Sequence, residues 1–487
     1  MLGSAVSQVR YGFGLLRGRV RPDPLTRISR DLVRTLAEFG TPGEDAALLP
    51  GQGRVADAAI LRTQAVRGLR ATARAAGRTA YYRRLFEEHG IRPDELTAEN
   101  WAQRVPVTTK QALRGMPAAF VSDRAEPSLM AMTTGTTGGP TVVWFSVDEL
   151  EIFASLGAIS ASLAEGLRAR DVIAYANSSR AGLTLLSAAA LAERTGAGFV
   201  PLGAIDPALT LEHLAAPLML PGKAPQITRL LCAPSYLAAL VGVAEAEGWQ
   251  PADFGLERIQ VGGEIFTEAL KARAEAVFGA DVHTGYMTTE IMPAGGGYCA
   301  QKHLHFPPEF GYAEFLRPDT WQPADPGEIA VIVVTPYSAY RTCTTLLRYA
   351  TGDLVRVLDG PLTCELAGLP ACSDILGRHT GPLSIAVPTR SVLELLESER
   401  AVPLPTRYGL AGHPDGPLLH VVVRSSTPAL QARLENRAEH FGLELGGIVL
   451  HERVDDLPVA PTPLRSDLRE YSFDRSAKLG ALTGVQP

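Results

Sequence analysis

The sequence contains little cysteine, little lysine and no long apolar run. Its five cysteines among 487 residues are too few and too scattered for the disulfide framework of a small secreted protein. No segment reaches the roughly 18 consecutive apolar residues that a membrane-spanning helix needs. The first residues are interrupted by Arg10, Arg17 and Arg19 and lack the apolar core and cleavage site of a signal peptide. We therefore predict a soluble, cytoplasmic protein with no membrane partner.

The net charge provides no general attraction to polyanions. The chain has 46 lysines and arginines against 52 acidic residues, a net charge of −6, so nucleic acid is not expected as a partner. Hydrophobic residues make up 46% of the chain and charged residues 20%, with 47 glycines and 36 prolines. This mixture is too apolar for a disordered chain and too rich in turn formers for a helical rod. It indicates a globular α/β protein long enough for more than one domain.

Residues 130–300 alternate between strand-like apolar runs and helical segments. This alternation is typical of a mostly parallel sheet covered by helices. The expected strands are residues 172–175, 227–232 and 258–261, and the expected helices are residues 185–194, 235–248 and 267–278. Upstream of this region, the apolar periodicity predicts one helix over residues 60–90.

Two further regions differ from this pattern. Short apolar runs separated by Pro, Asp and Gly predict a small antiparallel or barrel-like sheet from residues 311–316, 328–334 and 353–358. The chain after residue 378 predicts an α+β unit with helices at 390–399 and 428–441 and strands at 418–424 and 447–451. We therefore expect an α/β fold with a large N-terminal domain, residues 1–377, of helix-covered mixed sheets plus the barrel-like sheet. A small C-terminal α+β domain, residues 378–487, is expected to follow.

A loop of interleaved hydroxyls and glycines, MTTGTTGGPTVV, occupies residues 132–143. Its backbone N–H groups and threonine hydroxyls can surround a polyphosphate. It lacks the Gly-Lys-Ser/Thr of a Walker A loop, and Gly/Thr-rich segments also form plain turns. The density of hydroxyls just before a Val-Val-Trp-Phe strand favours phosphate binding. The candidate phosphate contacts are Thr133, Thr134, Gly135, Thr136, Thr137 and Gly138.

This loop resembles the (S/T)(S/T)GTTGxPT phosphate loop of the adenylate-forming superfamily, most closely that of its phenylacetate-CoA ligase branch. Further segments resemble the motifs of that branch in the same order. They are AYYR at 80–83, VPVTTK at 105–110, APSYL at 233–237, VGGE at 261–264, YMTTE at 286–290, RYATGDL at 348–354 and GR at 377–378. Because these segments keep the family order along most of the large domain, the chain is identified as a member of that superfamily.

The resemblance implies an enzyme that uses ATP and Mg²⁺ to activate a carboxylic acid. In this family the carboxylate attacks the α-phosphorus of ATP, pyrophosphate leaves, and an acyl-AMP forms. The acyl group then passes to a nucleophile, by family habit the thiol of CoA or of a carrier protein. A small-molecule acid and a small-molecule nucleophile are therefore the expected partners, and a carrier protein or a second copy of the chain are further candidates.

The same resemblance implies a role for each motif residue, and the side-chain chemistry suits these roles. Tyr286 has a ring that can stack on adenine, and the Asp353 carboxylate can accept from both ribose hydroxyls. Glu290 is an oxygen ligand suited to Mg²⁺, and Thr289 can donate to the α-phosphate. Arg378 can neutralise charge on the phosphate or contact the ribose. The adenine side is completed by Gly262, Gly263 and Glu264.

Three departures from the family pattern affect the transfer step more than the ATP site. Thr380 stands where relatives have the Asp about which the small domain turns, and the next loop, residues 384–389, is shorter than the thiol-tunnel loop of relatives. The late catalytic lysine is absent from its usual position. Lys478, the sole lysine beyond Lys302, is the candidate replacement, with Arg465 as the alternative.

Cysteine and histidine side chains form a candidate zinc site. Relatives carry Cys and His at comparable places, after the TE motif and before the GR motif. A closed set of three cysteines and one histidine would make a structural zinc site. The spacing is looser than C-x-x-C, so ordinary buried cysteines are the alternative. The candidate ligands are Cys299, His305, Cys364 and Cys372.

The acyl pocket is the least specified part of the sequence. By resemblance it draws on Asn177, Arg180, Ser235, Tyr236 and Met287. Met287 stands where relatives have glycine, which predicts a pocket for a small or flat acid, either a short acid or an aromatic one. Arg180 could pair with a second polar group of the acid, and an exposed loop arginine is the plainer alternative. No pattern in the sequence identifies the acid.

Three functions stay open at this point. The first is an acid-activating enzyme that transfers the acyl group to a thiol. The second is a ligase that uses an amine or a small nitrogen nucleophile such as nitrite, as amide-forming and N–N-forming relatives do. The third is a degenerate relative that binds nucleotide without turnover, since the lysine and the hinge Asp are missing. The complete phosphate loop, Glu290 and Asp353 argue against the third.

Overall fold

Four β-sheets organise the described part of the protein in the computed structural model, which covers residues 2–40, 58–133, 139–178, 182–461 and 464. No helix in these ranges is long and apolar enough to cross a membrane. In chain order the strands are β1 (Leu129–Met132), β2 (Val142–Phe145), β3 (Val172–Ala176), β4 (Gly198–Pro201), β5 (Arg229–Cys232), β6 (Arg258–Val261), β7 (Asp281–Tyr286), β8 (Gly296–Tyr298), β9 (Leu304–His305), β10 (Gly311–Leu316), β11 (Ile329–Pro336), β12 (Tyr349–Arg356), β13 (Ala371–Cys372), β14 (Gly377–Arg378), β15 (Tyr408–Ala411), β16 (Leu418–Val422) and β17 (Gly447–His451).

The α-helices lie between and around these strands. They are α1 (Leu2–Leu16), α2 (Pro22–Phe39), α3 (Ala58–Ala76), α4 (Ala80–His89), α5 (Ala98–Arg104), α6 (Lys110–Gly115), α7 (Val147–Leu163), α8 (Gly182–Thr195), α9 (Pro207–Ala215), α10 (Pro234–Glu247), α11 (Glu268–Phe278), α12 (Pro382–Ala386), α13 (Thr389–Glu397) and α14 (Pro428–Ala438). Several begin where a side chain caps the first turn; at α7, Ser146 and Glu149 form a reciprocal capping box.

The largest sheet has eight strands in the order β13-β9-β8-β7-β6-β5-β3-β4. The strands from β7 to β4 are parallel, and those on the other side of β7 pair antiparallel. Helices α8 to α11 connect the parallel strands in turn. Strand β3 is buried along its whole length, as expected for a parallel strand covered on both faces. The predicted helix-covered mixed sheet is confirmed.

The predicted small sheet is a four-stranded antiparallel sheet in the order β10-β11-β12-β14. Strand β12 begins at Tyr349, four residues before the predicted start. The early part of this strand contains Thr351 and Gly352, which interrupt the apolar pattern used for the prediction. Residues 349–351 are nevertheless buried, in a part of β12 that pairs with β11, and β14 joins the strand from Asp353 onward.

The single helix predicted over residues 60–90 is two helices. The Thr79 side chain accepts a hydrogen bond of 3.2 Å from the Tyr82 N–H at the start of α4. The same hydroxyl donates to the Ala76 carbonyl at 2.8 Å and so closes the end of α3. The apolar periodicity continues across this break, because both helices contribute to one core cluster. One capping side chain therefore decides the boundary.

The chain after residue 378 has an apolar core of its own. Strands β15 and β16 are antiparallel, β16 and β17 are parallel, and α13 and α14 pack against them. This is the predicted α+β unit. Its core includes Val392, Leu395, Leu419, Val421 and Leu434. The domain boundary at residue 377 stays a prediction.

Helix α13 joins this unit to the larger one at the start of α11. Glu394 accepts from the backbone N–H groups of Glu268 and Ala269, at 2.9 and 3.0 Å. A carboxylate at this position is favoured by the helix dipole. Glu397 lies beside it, is buried, and accepts a hydrogen bond from the Thr267 hydroxyl. Burial, partly offset by that hydrogen bond, raises the pKa of Glu397 to about 7.

We expect Glu397→Gln to raise the melting temperature at pH 8 and to change it little at pH 5. The folded protein keeps the Glu397 carboxyl protonated up to about pH 7, whereas the unfolded chain ionises it at about pH 4.3. The wild type therefore loses folding free energy as the pH rises through this window, up to about 3 to 4 kcal/mol. Thermal melting of both proteins at the two pH values checks this. The same difference at pH 5 and pH 8 would contradict it.

Candidate active site

Tyr286, Asp353 and Arg378 meet in one hydrogen-bonded group. The Tyr286 hydroxyl donates to Asp353 Oδ2 at 2.7 Å, and Arg378 Nε lies 3.0 Å from Oδ1 of the same carboxylate. Tyr286 and Asp353 are buried, and Arg378 is partly exposed. The Asp353 carboxylate raises the pKa of Arg378, which keeps the guanidinium charged. Burial, and then the same carboxylate, raises the pKa of Tyr286, so its hydroxyl stays a donor.

The backbone of β12 directs Asp353 to this group. The register of β12 against β11 shifts beside Gly352, whose φ is 80°. This left-handed conformation favours glycine, and such a bulge changes the direction of the following side chain. Asp353 is also paired with Arg378 of β14 by register. The backbone conformation of Thr-Gly-Asp in the RYATGDL segment therefore positions the Asp353 carboxylate.

Glu290 forms a second group with Tyr349 and Lys110. Its Oε1 accepts from the Tyr349 hydroxyl at 3.0 Å and lies 3.2 Å from Lys110 Nζ. Burial by itself would raise the pKa of Glu290, but the lysine and the hydrogen bonds outweigh it and hold that pKa below its ordinary value. Burial lowers the pKa of Lys110. Glu290 raises that pKa, Arg378 lowers it and Asp353 raises it, so Lys110 lies within electrostatic reach of all three residues. The two groups are therefore neighbours.

Two threonines precede Glu290 in the same turn. Thr289 is partly exposed. The hydroxyl of Thr288 is buried, with no hydrogen-bond partner among the residues that the structure describes. A buried, unsatisfied hydroxyl in a native protein is unusual, and a bound ligand is one of its ordinary explanations.

Lys110 is a candidate site residue that the sequence patterns did not single out. It is the first residue of α6 and follows Thr108, which pairs with β12. The Thr108 N–H donates to the Arg348 carbonyl at 2.9 Å, and the Ala350 N–H donates to the Thr108 carbonyl at 3.0 Å. This pairing fixes the position of the following residues, so that Lys110 at the start of α6 lies next to Glu290. The VPVTTK motif contains the lysine, but its partner becomes visible only through contacts distant in sequence.

Strands β1 and β2, which flank the hydroxyl loop in sequence, pair antiparallel. At the base of the loop the Thr133 N–H donates to the Thr141 carbonyl at 3.0 Å, and the Thr141 N–H donates to Thr133 Oγ1 at 2.9 Å. Arg114 of α6 donates to Thr141 Oγ1 at 3.1 Å. Helix α6 therefore contacts the loop base through Arg114 and Glu290 through Lys110. The loop residues Thr134, Gly135, Thr136, Thr137 and Gly138 lie outside the described residues.

The VGGE segment lies at the end of β6. Glu264 Oε2 accepts the backbone N–H of Ser235 at 2.9 Å, in the first turn of α10. Gly263 has a φ of 87°, and the Gly262 N–H donates to the carbonyl that ends β5 at 3.3 Å. Ser235, this segment and Tyr286 therefore follow the carboxyl ends of three adjacent parallel strands, the edge where open α/β sheets bind ligands. Their roles toward adenine stay predictions.

The predicted acid-binding residues differ in their position relative to the sheet edge and in their exposure. Asn177 follows β3 at the same sheet edge and is partly buried. Met287 is 43% exposed, and its side chain lies over Gly295. A Cβ at Gly295 would clash with the Tyr286 carbonyl oxygen, so glycine is required there. Arg180 lies outside the described residues.

Tyr236 lies in the core and not at the sheet edge. Its hydroxyl donates to the Ile205 carbonyl at 2.9 Å and lies 2.7 Å from Thr210 Oγ1. The side chain belongs to the apolar cluster under α10. Tyr236 therefore packs in the core, because the first turn of α10 directs it inward, and its contact with the substrate stays a prediction.

Cys299, His303, His305 and Cys364 gather in one place. Their ligand atoms lie within 4.8 Å of one another, and Cys364 Sγ is 3.3 Å from His305 Nε2. The Nδ1 atoms of both histidines are buried and have no hydrogen-bond partner within the described ranges. Two sulfur and two nitrogen donors make a set that suits tetrahedral zinc.

His303 takes the place of Cys372 in the predicted ligand set. Strand β13 pairs with β9 so that Cys372 faces Leu304 and Ala371 faces His305. Because side chains alternate along a strand, Cys372 points to the opposite face from His305. Its sulfur is directed to the Leu304 carbonyl at 3.9 Å. The prediction of Cys372 as a ligand was therefore wrong in register, while the spacing of Cys299, His303 and His305 contained the signal for His303.

The late part of the chain contributes less to the described site. Lys478 and Arg465 lie outside the described residues. The Thr380 N–H donates to Ser384 Oγ at 3.0 Å, and the Ser384 hydroxyl donates to the Gly381 carbonyl at 2.6 Å. The segment expected as a shortened loop therefore begins with helix α12, held to the hinge position by side-chain hydrogen bonds.

Comparison with known proteins shows related ligases. Phenylacetate-coenzyme A ligase from Thermus thermophilus is 29% identical over 390 residues, which cover 77% of this chain and 81% of the relative. A crystal structure of 2-hydroxyisobutyryl-CoA ligase has a TM-score of 0.69 at 21% identity and covers 88% of this chain and 93% of that chain. A benzoate CoA ligase from Burkholderia xenovorans has a TM-score of 0.51 at 16% identity, covering 72% and 70%. No family model matches the chain.

The structural likeness establishes the fold, and the sequence likeness extends over most of the chain. The motif residues Tyr286, Glu290, Asp353 and Arg378 meet in space, as they should if the ordered motifs form one site. The chain is therefore a homologue of phenylacetate-CoA ligases over about three quarters of its length, and it has the fold of the acyl-CoA ligases.

Proposed function

We propose that the protein uses ATP to activate a carboxylic acid as an acyl-AMP, with release of pyrophosphate. The observation that carries this proposal is the convergence of the Tyr286–Asp353–Arg378 group with the Lys110–Glu290 pair, on a helix whose Arg114 contacts Thr141 at the base of the hydroxyl loop. Adenylate-forming CoA ligases use ATP, Mg²⁺ and CoA, and one structural neighbour was solved with an acyl-AMP. The site combines acceptors for a ribose with cations for phosphates, the two requirements of adenylation.

Asp353 is proposed to hold the ribose. A carboxylate has about four acceptor positions, and Tyr286 and Arg378 together occupy two of them. Both ribose hydroxyls can therefore still donate to it. Arg378 keeps the carboxylate oriented and faces the neighbouring phosphate with its remaining donors. Thr289 is proposed to donate to the α-phosphate.

Glu290 is proposed to hold Mg²⁺. The contacts described above both involve Oε1, so the carboxylate keeps capacity for a hard cation. Bound Mg²⁺ would neutralise charge on the phosphates of ATP. An isolated buried carboxylate would take up a proton, and Lys110 prevents this by holding the pKa of Glu290 low.

Lys110 is proposed to supply the cation that relatives provide with their late lysine. It lies in the described site, about a fifth of its side chain is exposed, and its Nζ is 3.2 Å from Glu290 Oε1. Asp353 and Arg378 are close enough to shift its pKa, in opposite directions. A lysine is a flexible point charge with three donors, so its ammonium can move from the carboxylate to an incoming phosphate or acid.

The acid is proposed to be small or flat and aromatic. Met287 supports this, because its side chain lies over Gly295 in the turn that also carries Glu290. A branched or long acid would have to displace that side chain. Asn177 and Ser235 are the remaining polar groups at this sheet edge.

The acceptor is proposed to be an amine, a small nitrogen nucleophile or a carrier-bound thiol, with free CoA a poor acceptor. An amine would attack the acyl carbonyl carbon, form the amide bond, release AMP and lose its proton. Three features support this choice: Thr380 replaces the hinge carboxylate, α12 occupies the position of the thiol-tunnel loop, and Glu394 fastens α13 to α11.

Zinc is proposed at Cys299, His303, His305 and Cys364 in a structural role. The two orphaned Nδ1 atoms are consistent with a ligand that the four residues share. Zinc there would connect the β8–β9 turn to the segment before β13.

We expect Asp353→Asn and Glu290→Gln to reduce carboxylate-dependent ATP–pyrophosphate exchange about 100-fold or more, because each removes a charge at the reacting centre. Assays over a panel of short and aryl acids with Mg²⁺ measure this and identify the acid. Asp325→Asn, an exposed carboxylate paired with Arg317, is the control. Near-normal exchange in both site variants would refute the assignment of the site.

The two candidate lysines can be told apart directly. Lys110→Met is expected to lose pyrophosphate exchange by about 100-fold, and Lys110→Arg to retain part of it, because the charge is kept but the group is larger. Lys478→Met is expected to keep it, since Lys110 supplies the cation. Thermal melting controls for folding, since Lys110→Met leaves Glu290 buried without its partner. Loss of exchange in Lys478→Met alone would assign the role to the late lysine.

Purified protein is expected to contain about one equivalent of zinc. His303→Ala and Cys364→Ser should lose the metal and melt at a lower temperature, because metal-binding energy is part of folding energy. Cys372→Ser should retain the metal. Elemental analysis and thermal melting provide the measurements. Metal-free wild-type protein, or loss of zinc in Cys372→Ser alone, would show that the cluster is not the ligand set.

Acyl-AMP bound to the enzyme is expected to be discharged slowly by free CoA and faster by a nitrogen nucleophile or a carrier thiol. Single-turnover decay with CoA, with amines, with nitrite, with a carrier protein and with no acceptor measures this. Fast, saturable discharge to CoA would restore the thioester-forming ligase while leaving acid activation intact.

A further inference from the structure

Helix α1 presents Ser7 and Tyr11 to the protein and several large apolar side chains to the solvent. Ser7 is buried, and the Tyr11 hydroxyl lies 2.8 Å from the Tyr340 hydroxyl. On the other side Phe13 is 56% exposed and Leu16 is 69% exposed. A surface helix ordinarily has the reverse arrangement, with its apolar stripe facing the core.

The exposed apolar residues of this helix form one stripe. Val6, Val9, Phe13 and Leu16 follow one another at spacings of three, four and three residues, which places them on one face. Each of the four is more than half exposed. We call these residues the α1 stripe. The opposite face is already occupied by contacts with the protein, so rotation of the helix cannot bury it.

The surroundings of the α1 stripe are positively charged. Residues 1–40 contain seven arginines and three acidic residues, a balance of +4 in a chain whose net charge is −6. All seven arginines are exposed. Helix α1 itself has no acidic residue, and Arg10 and Arg17 flank the stripe. The net charge of the whole chain, which provides no general attraction to polyanions, averages over this local excess.

We infer that the α1 stripe docks on the surface of an anionic lipid bilayer. The apolar side chains enter the boundary between headgroups and acyl chains, and Arg10 and Arg17 contact lipid phosphates from the flanks of the helix. The helix lies in the plane of the surface, because its 15 residues are too short to span the bilayer.

A second copy of the chain fits the same stripe less well. A two-fold packing about the middle of the stripe brings two Arg10 side chains together, since an isologous interface repeats every contact. Helix α1 has no carboxylate to compensate this repulsion. An anionic surface instead compensates every arginine of the segment.

Co-sedimentation of the full chain with vesicles tests the inference. Phosphatidylcholine vesicles with and without phosphatidylglycerol are compared at low and high salt. The double variant Val9→Ser/Phe13→Ser removes the centre of the stripe. The matched control, Met219→Ser/Leu220→Ser, changes two apolar side chains outside α1 that are 91% and 50% exposed.

We expect phosphatidylglycerol to raise binding about tenfold or more at low salt, because two arginines approach the charged surface. The stripe variant should lose this binding, the control should keep it, and high salt should weaken it. Absent binding, equal binding to both vesicles, or binding kept by the stripe variant overturns the inference. A wild-type dimer that the stripe variant converts to monomer in light scattering also overturns it, in favour of a second copy. Equal melting temperatures exclude unfolding as the cause.

Discussion

Two reciprocal tyrosine–carboxylate hydrogen bonds hold the candidate site together. Tyr286, at the end of β7, donates to Asp353 of β12, and Tyr349 of β12 donates to Glu290 in the turn after β7. The large mixed sheet and the small antiparallel sheet are thereby joined at the point where nucleotide is proposed to bind. The bulge at Gly352 makes the pair of bonds possible, because it sets the direction of Asp353 between the two sheets.

Buried charges around this joint are compensated in pairs. Glu290 has Lys110, and Arg348 makes two hydrogen bonds to Glu314, at 2.9 and 3.0 Å. Removal of one member of such a pair typically costs about 3 to 5 kcal/mol, since the other is left buried and uncompensated. The arginine of the RYATGDL motif is therefore structural, whereas the aspartate five residues later is available for a ligand. One short motif therefore contains a structural arginine and an aspartate that can bind a ligand. Strand β12 is buried at its start, and its bulge directs Asp353 to the site.

Local pattern predicted the layers of the fold well and individual side chains less well. Strand β6 and strand β10 have the predicted bounds, because each is a short apolar run between turn formers. The break between α3 and α4, by contrast, depends on the Thr79 cap, which the apolar periodicity does not register. Among the candidate ligands, Cys372 and His303 could be distinguished only by the pairing of β13 with β9, which reverses the face of alternate residues.

The sequence by itself determined the resemblance to a family, the order of the motifs, the fold class and the chemistry that each motif can perform, because these depend on residue type and local spacing. The tertiary structure decided which of those residues meet. It brought Lys110 to Glu290 across 180 positions, turned Tyr236 into the core and exposed the α1 stripe. The physical reason is that a side chain's partner is set by strand register, capping and burial between segments distant along the chain, and none of these leaves a periodic signal in the residues themselves.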